Sequence, residues 1–388
     1  MPNKEASIII PMHNARDHIA RMVGCLQAQT FADFEVLLVD DASTDDTLAL
    51  AESYANNDER FCVLPQPTQA GPGAARNAGI EAAQGTYLFF FDVDDLVAPE
   101  TIQHVLERAW QTQADIVIFQ MDHIDTRDGI RRPSPDAWDA NRYPAEFNPA
   151  FHAAHLFGDF RNWPVDKAFE RTFIKNRQLR FPELYRTEDL AFTCSALASA
   201  ERIALLDEVL YTYRIGATTA STQNRDVAPL DFLSSASELK DYLERNNLMD
   251  TYRQTYTQWV GLACCVNVLE LDSFDAFSHA YKALHDGGLA NLELDAASRA
   301  RIGANQTSDN THAAGNIENA DIWCMLDTIE QCSLDEGIFH LLTLREHIHS
   351  RHWQHMVDEV RDSHSFKLGN ALLAPMRMLR GQATDKVE

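Results

Sequence analysis

Apolar residues in the first half of the chain come in short unbroken runs, separated by longer stretches of helical period. Residues 7–11 (SIIIP) form a β-branched run closed by proline, and 34–39 (FEVLLV), 61–64, 86–91 (TYLFFF) and 115–119 (DIVIF) follow. Apolar runs without polar alternation predict strands buried on both faces. After the first run, Ile19, Met22, Val23 and Leu26 recur at the spacing of one helix face. Asn14 is placed to cap that helix, Ser43 with Asp46 has the form of a capping box for the next, and Gly73 opens a third within 71–85. Strands alternating with helices predict an α/β fold with a mostly parallel sheet and helices on both faces. In such sheets ligands sit beyond the carboxyl ends of the strands.

From Asp226 the pattern changes. Segments 230–245, 249–271, 274–285, 317–331 and 336–360 have helical periodicity, while 301–316 is rich in Gly, Asn, Thr and Ser and is expected to be a loop. The pattern divides the chain into an α/β domain (1–225) and a helical domain (226–388), a number of domains that suits 388 residues.

With 45% hydrophobic and 23% charged residues, disorder is excluded as the main state. The charge balance, 33 − 58 = −25, excludes nucleic acid as a partner, because phosphate binding needs clustered Lys and Arg. Seven cysteines, an odd number with no CxxC pair, are expected to be reduced and mostly buried, which points to a cytoplasmic protein. The four-residue apolar run after MPNKEAS is too short for a signal peptide. No stretch reaches the roughly 18 apolar residues of a spanning helix. In that setting the Asn305 sequon carries no meaning.

Three strand ends carry polar clusters: Pro11-Met12-His13-Asn14, Asp40-Asp41-Ala42-Ser43 and Asp92-Val93-Asp94-Asp95. Carboxylates converging on one crevice suit Mg²⁺ or Mn²⁺, ions that bridge to substrate phosphates. The plainer reading is helix capping and a chance DxD in an Asp-rich chain. The wider context decides between them. In order and spacing, SIIIPMHNA, LQAQTFADFEVLLVDDASTDDT and GPGAARNAGIEAAQGTYLFFFDVDDL resemble the inverting, family-two nucleotide-sugar glycosyltransferases of GT-A fold. The resemblance covers about residues 7–222. It implies that Pro11, His13 and Asp41 lie at the nucleotide base and ribose. It also implies that Arg76 lines the nucleotide side, and that Asp92 and Asp94 bind Mn²⁺ or Mg²⁺ beside the donor. For Arg76-Asn77 the alternative is a pair on a helix surface.

A second block, Trp163 to Arg171 followed by RFPELYRTEDLAFT, matches as well. Glu188-Asp189 heads an apolar helix, where carboxylates are favoured by the dipole in any case. The resemblance makes Asp189 the general base that takes the proton of the acceptor hydroxyl. It places Glu188 and Lys167 on the acceptor side. Asp166, where the family often has Asn, and Ala168-Phe169, in place of Leu and an aromatic, depart from the family pattern and leave acceptor identity open. Tyr211-x-Tyr213-Arg214 and the hydroxyl-rich 217–222 resemble the family's closing loop, with Arg214 toward a pyrophosphate oxygen.

The implied reaction moves a sugar from a UDP-linked donor to a glycan or lipid-linked hydroxyl in cell-surface polysaccharide synthesis. Without a cation, the acidic strand ends should repel that donor. Two rival readings are an inactive sugar-nucleotide-binding or scaffold module and a sugar-phosphate nucleotidyltransferase. The second needs a glycine-rich loop after the first strand, and PMHNARD has no glycine. A processive membrane synthase lacks support, with neither spanning segments nor QxxRW. His347, His349, His352 and His355 drift around one predicted helix, which argues against a metal site. The basic amphipathic tail 366–381 suits an anionic inner-membrane surface, giving a peripheral protein, or docking on the chain's own helices. Sugar, linkage and self-association are not specified.

Overall fold

The computed structural model describes residues 4–134, 138–216, 226–271, 273–302, 319–332 and 341. The hydroxyl-rich 217–222, the four histidines, Asn305, most of 336–360 and the tail 366–381 lie outside them. The described strands are β1 (Ala6–Met12), β2 (Phe34–Asp40), β3 (Phe61–Pro65), β4 (Tyr87–Phe90), β5 (Leu96–Val97), β6 (Ile116–Asp125), β7 (Arg131–Pro133), β8 (Glu146–Phe147), β9 (Lys167–Glu170) and β10 (Ile203–Ile215). They form one sheet in the order β3-β2-β1-β4-β9-β6-β10-β5, with β7 on β6 and β8 on β10. β1 to β4 are mutually parallel, as are β6 and β10. The sheet is mixed rather than purely parallel, because β9 runs antiparallel between β4 and β6. Lys167 and Glu170 within β9 break the apolar run and hide this strand from a pattern reading.

Both faces of the parallel half are covered, which explains its unbroken apolar runs. Ile8, Ile10, Val36 and Phe89 face α1 (Arg16–Gln27) and α4 (Thr101–Thr112). Ile9, Leu37, Val39 and Phe90 face α3 (Gly71–Ala82) and α7 (Glu188–Ser199). The second cluster continues without a break into the helical region, through Leu239 of α8 (Asp231–Arg245), Tyr256 of α9 (Met249–Leu269), Tyr281 of α10 (Phe274–Ala283) and Ile329 of the helix Asn319–Gln331. It therefore crosses residue 225. Arg301 and Ile302, expected in a loop, end the short helix Ala296–Ile302. Among the described residues no helix is long and apolar enough to cross a membrane. Of the seven free cysteines three are buried, and Cys62 and Cys324 are exposed.

The caps differ from expectation. Asn14 does not cap α1; it adopts a left-handed conformation, and its side-chain oxygen accepts from the Thr44 N–H at 2.8 Å. The free N–H of Ala15 is taken instead by Thr47 Oγ1 at 2.7 Å. Ser43 and Asp46 form no capping box. Ser43 Oγ accepts from the Asn14 N–H, and Asp45 accepts from the N–H of Thr47. Side chains of the β2–α2 connection, α2 being Thr47–Asn57, thus satisfy the start of α1, and the first two strand ends are locked together.

Gly79 puts α3 directly on β1: a β-carbon there would lie 2.4 Å from Ile9 Cγ2. Ala gains up to about 1 kcal/mol of helix propensity, but overpacking a closed core costs about 1–3 kcal/mol. Gly79→Ala is expected to lower the urea midpoint with an unchanged m-value; a raised midpoint would show that β1 and α3 can separate freely.

Candidate active site at the carboxyl ends of the strands

The connection after β1 is held over β2. His13 Nδ1 lies 2.8 Å from the carbonyl oxygen of Asp41, and Pro11 pairs with Val39 inside the sheet. The Asp41 carboxylate accepts from the N–H groups of Ala70 and Gly71 at 2.7 and 2.8 Å. It fills the donor-rich N-terminus of α3 and fastens that helix to the end of β2.

Two glycines then let α3 lie against the segment leading to α7. Gly71 has φ +87°, and a β-carbon there would meet Leu184 O at 2.6 Å; one on Gly73 would meet Pro182 O at 2.1 Å. The helix opens at Gly71, and the role of Gly73 is this close approach. Asn77 completes the join: its amide donates to Phe181 O at 2.7 Å and accepts from Phe181 N at 3.0 Å. Arg76-Asn77 is therefore a buried pair, not a surface one, at 3% and 5% exposure.

This geometry drives Arg76 into the centre of the site. Its Nη1 donates to Glu188 Oε1 at 2.5 Å and to Asp189 Oδ1 at 3.2 Å, and its Nη2 donates to Asp92 Oδ1 at 2.8 Å. The guanidinium carbon lies 5.3 Å from the centroid of Phe181, which is stacked on Phe192 at 3.8 Å. The expected donor-side residue, metal ligand and general base thus meet on one cation. The carboxylates differ in access. The Glu188 side chain is 7% exposed, whereas Asp189 and Asp92 are 24% and 37% exposed.

One positive charge shared by three acids cannot balance them all. Burial works against a charged Arg76, but Asp189, Asp92 and Glu188 outweigh it and push its pKa above the ordinary value. Burial followed by the charge of Glu188 raises Asp189 well above the usual carboxylate range, with Arg76 pulling the other way. Burial also raises Glu188, against the opposing attraction of Arg76.

The DVDD turn is shaped from β10. Tyr211 Oη donates to Asp95 Oδ2 at 2.6 Å and accepts from Asp92 N at 3.3 Å. Asp95 Oδ1 accepts from Arg214 N at 2.8 Å, and Arg214 Nη1 donates to Asp94 O at 3.0 Å. Asp95 is fully buried and builds the turn. Asp94 is raised by burial and by Asp92. Two neighbouring carboxylates offer the hard oxygen donors that a divalent cation takes. Among the described residues no third His, Cys, Asp or Glu completes a metal cluster.

Lys167 is fully buried in β9, and its Nζ donates to Asp166 Oδ1 at 2.6 Å and Trp163 O at 2.8 Å. Burial lowers its pKa against the pull of Asp166. The acid at 166, where the family often has Asn, is thus the partner of this ammonium. Sequence reasoning had no signal for Asn77 or Phe181 as supports of the site.

A family model described as "Glycosyl transferase family 2" matches residues 7–179. That segment of the chain is similar to glycosyl transferase family 2. The match covers the segments bearing His13, Asp41, Arg76, Asp92 and Asp94 and ends before Glu188 and Asp189. Three similar proteins show where the likeness lies. The uncharacterized glycosyltransferase EpsJ of Bacillus subtilis is 37% identical over 212 residues, 54% of this chain and 60% of its own. The succinoglycan biosynthesis protein ExoO of Rhizobium meliloti is 34% identical over 219 residues, 54% of this chain and 61% of its own. The poly(ribitol-phosphate) β-N-acetylglucosaminyltransferase TarS of Staphylococcus aureus is 28% identical over 235 residues, 58% of this chain and 38% of its own. The chain therefore spans less than two thirds of each of these relatives.

Removing Arg76 from the site leaves Glu188, Asp189 and Asp92 uncompensated. Arg76→Met is expected to cost about 3–5 kcal/mol at neutral pH. Acids whose folded pKa is raised stabilise the fold below their unfolded pKa and lose that contribution as pH rises. The deficit of the variant should therefore shrink as pH falls from 7.5 toward 5, read from paired thermal melts. A deficit that grows on acidification would contradict the arrangement.

Proposed function

We propose that the chain is a metal-assisted, inverting glycosyltransferase that moves a sugar from a nucleoside-diphosphate donor, with UDP as the nucleotide, to a hydroxyl of a glycan or lipid-linked acceptor. One observation carries the reading: Arg76 bonds both Asp189 and Asp92, so a partly exposed base stands one guanidinium away from the DxD carboxylates. The names of the relatives support the setting. ExoO is named for succinoglycan biosynthesis, and TarS for transfer of β-N-acetylglucosamine.

In this mechanism Asp189 takes the proton of the acceptor hydroxyl. The freed oxygen pair forms the bond to the anomeric carbon, the bond to the diphosphate oxygen breaks, and its electrons leave with the nucleoside diphosphate. In-line attack inverts the centre, so an α-linked donor yields a β-linkage. Asp92 and Asp94 would hold a Mn²⁺ or Mg²⁺ ion, which would supply Lewis-acid stabilisation to the departing diphosphate. Glu188, the more deeply buried acid, holds Arg76 in place. Arg76 keeps Asp189 oriented and opposes the burial that favours its protonated form. Arg214, a β10 residue whose guanidinium donates to Asp94 O, meets a pyrophosphate oxygen in this reading.

Asp189→Asn is expected to lower transfer about 10²-fold or more, with donor affinity in the presence of Mn²⁺ retained by calorimetry. Undiminished transfer would remove Asp189 from the role. A base works in its deprotonated form, and burial together with Glu188 raises Asp189. The acid limb of kcat/KM should therefore lie above the ordinary carboxylate range and disappear in the Asn variant. Chelation with EDTA should abolish turnover and added Mn²⁺ restore it. Donor binding without turnover in the wild type, under any acceptor mixture, would favour a sugar-nucleotide-binding module.

A further inference from the structure

The residue immediately before the acid pair has an unusual backbone. Thr187 adopts φ +58° and ψ +15°, a left-handed conformation that a β-branched residue seldom takes. It also fails to cap the helix that it precedes, because its Oγ1 donates backwards to Arg186 O at 2.7 Å. A helix whose first turn carries the general base therefore begins on a disfavoured turn with no cap of its own.

The missing bonds come from α8. Ser235 is fully buried, on a stripe otherwise made of Phe232, Ala236, Leu239, Tyr242 and Leu243. Its hydroxyl donates to Thr187 O at 2.6 Å and accepts from Ala191 N at 3.2 Å. One turn earlier, the Asp231 carboxylate accepts from the N–H groups of Tyr185 and Arg186 at 2.9 and 3.1 Å. Ser235 and Asp231 are four positions apart, so both project from one face of α8 toward the same segment. Together they take up two N–H groups ahead of Thr187, its carbonyl oxygen, and an N–H within the first turn of α7.

We propose that Asp231 and Ser235 are positioning residues of the transferase. They hold the left-handed turn at Thr187 and so aim Asp189 from the helical half of the chain. This rests on Asp189 being the base. Neither residue touches the reacting atoms; both act through the backbone of 185–191. It follows that α8 is part of the active site's support, and that a cut near residue 225 removes it.

The test uses the full chain in four forms: wild type, Ser235→Ala, Asp231→Ala and Asp231→Asn. Ser235→Ala is the least disruptive, since alanine fits the same buried space. Hydrogen exchange of the peptide spanning 184–195 reads the clamp without any assay of activity. It should quicken in Ser235→Ala and Asp231→Ala, while α3 and β1 keep their protection. Steady-state transfer reads the consequence. The expected result is a fall in kcat of between about tenfold and a hundredfold, with donor KM within about twofold of wild type. Asp231→Asn, whose amide oxygen can still accept, should recover most of the rate. Unchanged exchange at 184–195 in both alanine variants overturns the proposal, as does a folded Ser235→Ala with wild-type kcat. Undiminished transfer by Asp189→Asn overturns the base assignment instead, and the exchange result still decides whether the clamp exists.

Discussion

The site is organised by a single buried cation. Arg76 is the meeting point of three carboxylates from two distant parts of the chain: Asp92 sixteen positions away, and Glu188 and Asp189 more than a hundred. A charge this deep is stable only if its partners are held rigidly, and much of the surrounding structure does that holding. The two glycines at the start of α3 set how far the helix can advance, Asn77 fixes the approach of Phe181, and Asp41 secures the helix to the end of β2. The ring of Phe181 covers the guanidinium on one side. Each of these contacts would be a minor feature elsewhere. Here each determines whether the guanidinium reaches all three acids.

The same centre gives the overall acidity of the chain a local meaning. Arg76 balances one of its three partners, and Asp94 adds a further carboxylate on the adjoining turn, so acids outnumber the cation at the crevice. Such a field suits a divalent ion more than a free polyphosphate. Asp95 is best understood separately from its neighbours. Buried beneath the turn and bonded to Tyr211 and the Arg214 N–H, it shapes the loop that presents Asp92 and Asp94. Three consecutive-looking acids thus divide into two that face the crevice and one that builds it.

Much of this was legible in the sequence, for identifiable reasons. Unbroken apolar runs of β1, β2 and β4 reported burial on both faces, and the polar clusters after them marked the crevice. Glu188-Asp189 stood out because two acids headed an apolar helix. What stayed hidden depended on distance in space. Nothing near Asn14 or Ser43 in sequence reveals that each serves the other's connection. β9 escaped notice because a buried Lys167 interrupts its pattern, although the ammonium is matched by Asp166 next to it. For Arg76 the sequence left a nucleotide-side residue and a helix-surface residue both open, and only the packing of 181–184 against α3 excludes the second. Ser235 was one hydroxyl on an apolar stripe, and its two partners lie on a helix more than forty positions earlier.

The place of β9 has a consequence for the order in which the molecule can assemble. β4 is complete by residue 90 and β6 by residue 125, yet they never pair directly; the strand between them is made of residues 167–170. Until that short stretch is made, the facing margins of β4 and β6 stay open, while the far side of β6 waits for β10. Open margins of this kind invite pairing with other chains. The insertion of β9 closes both at once, and a charged lysine in its first position makes wrong partners unattractive, because only the correct seat supplies Asp166 and the Trp163 carbonyl.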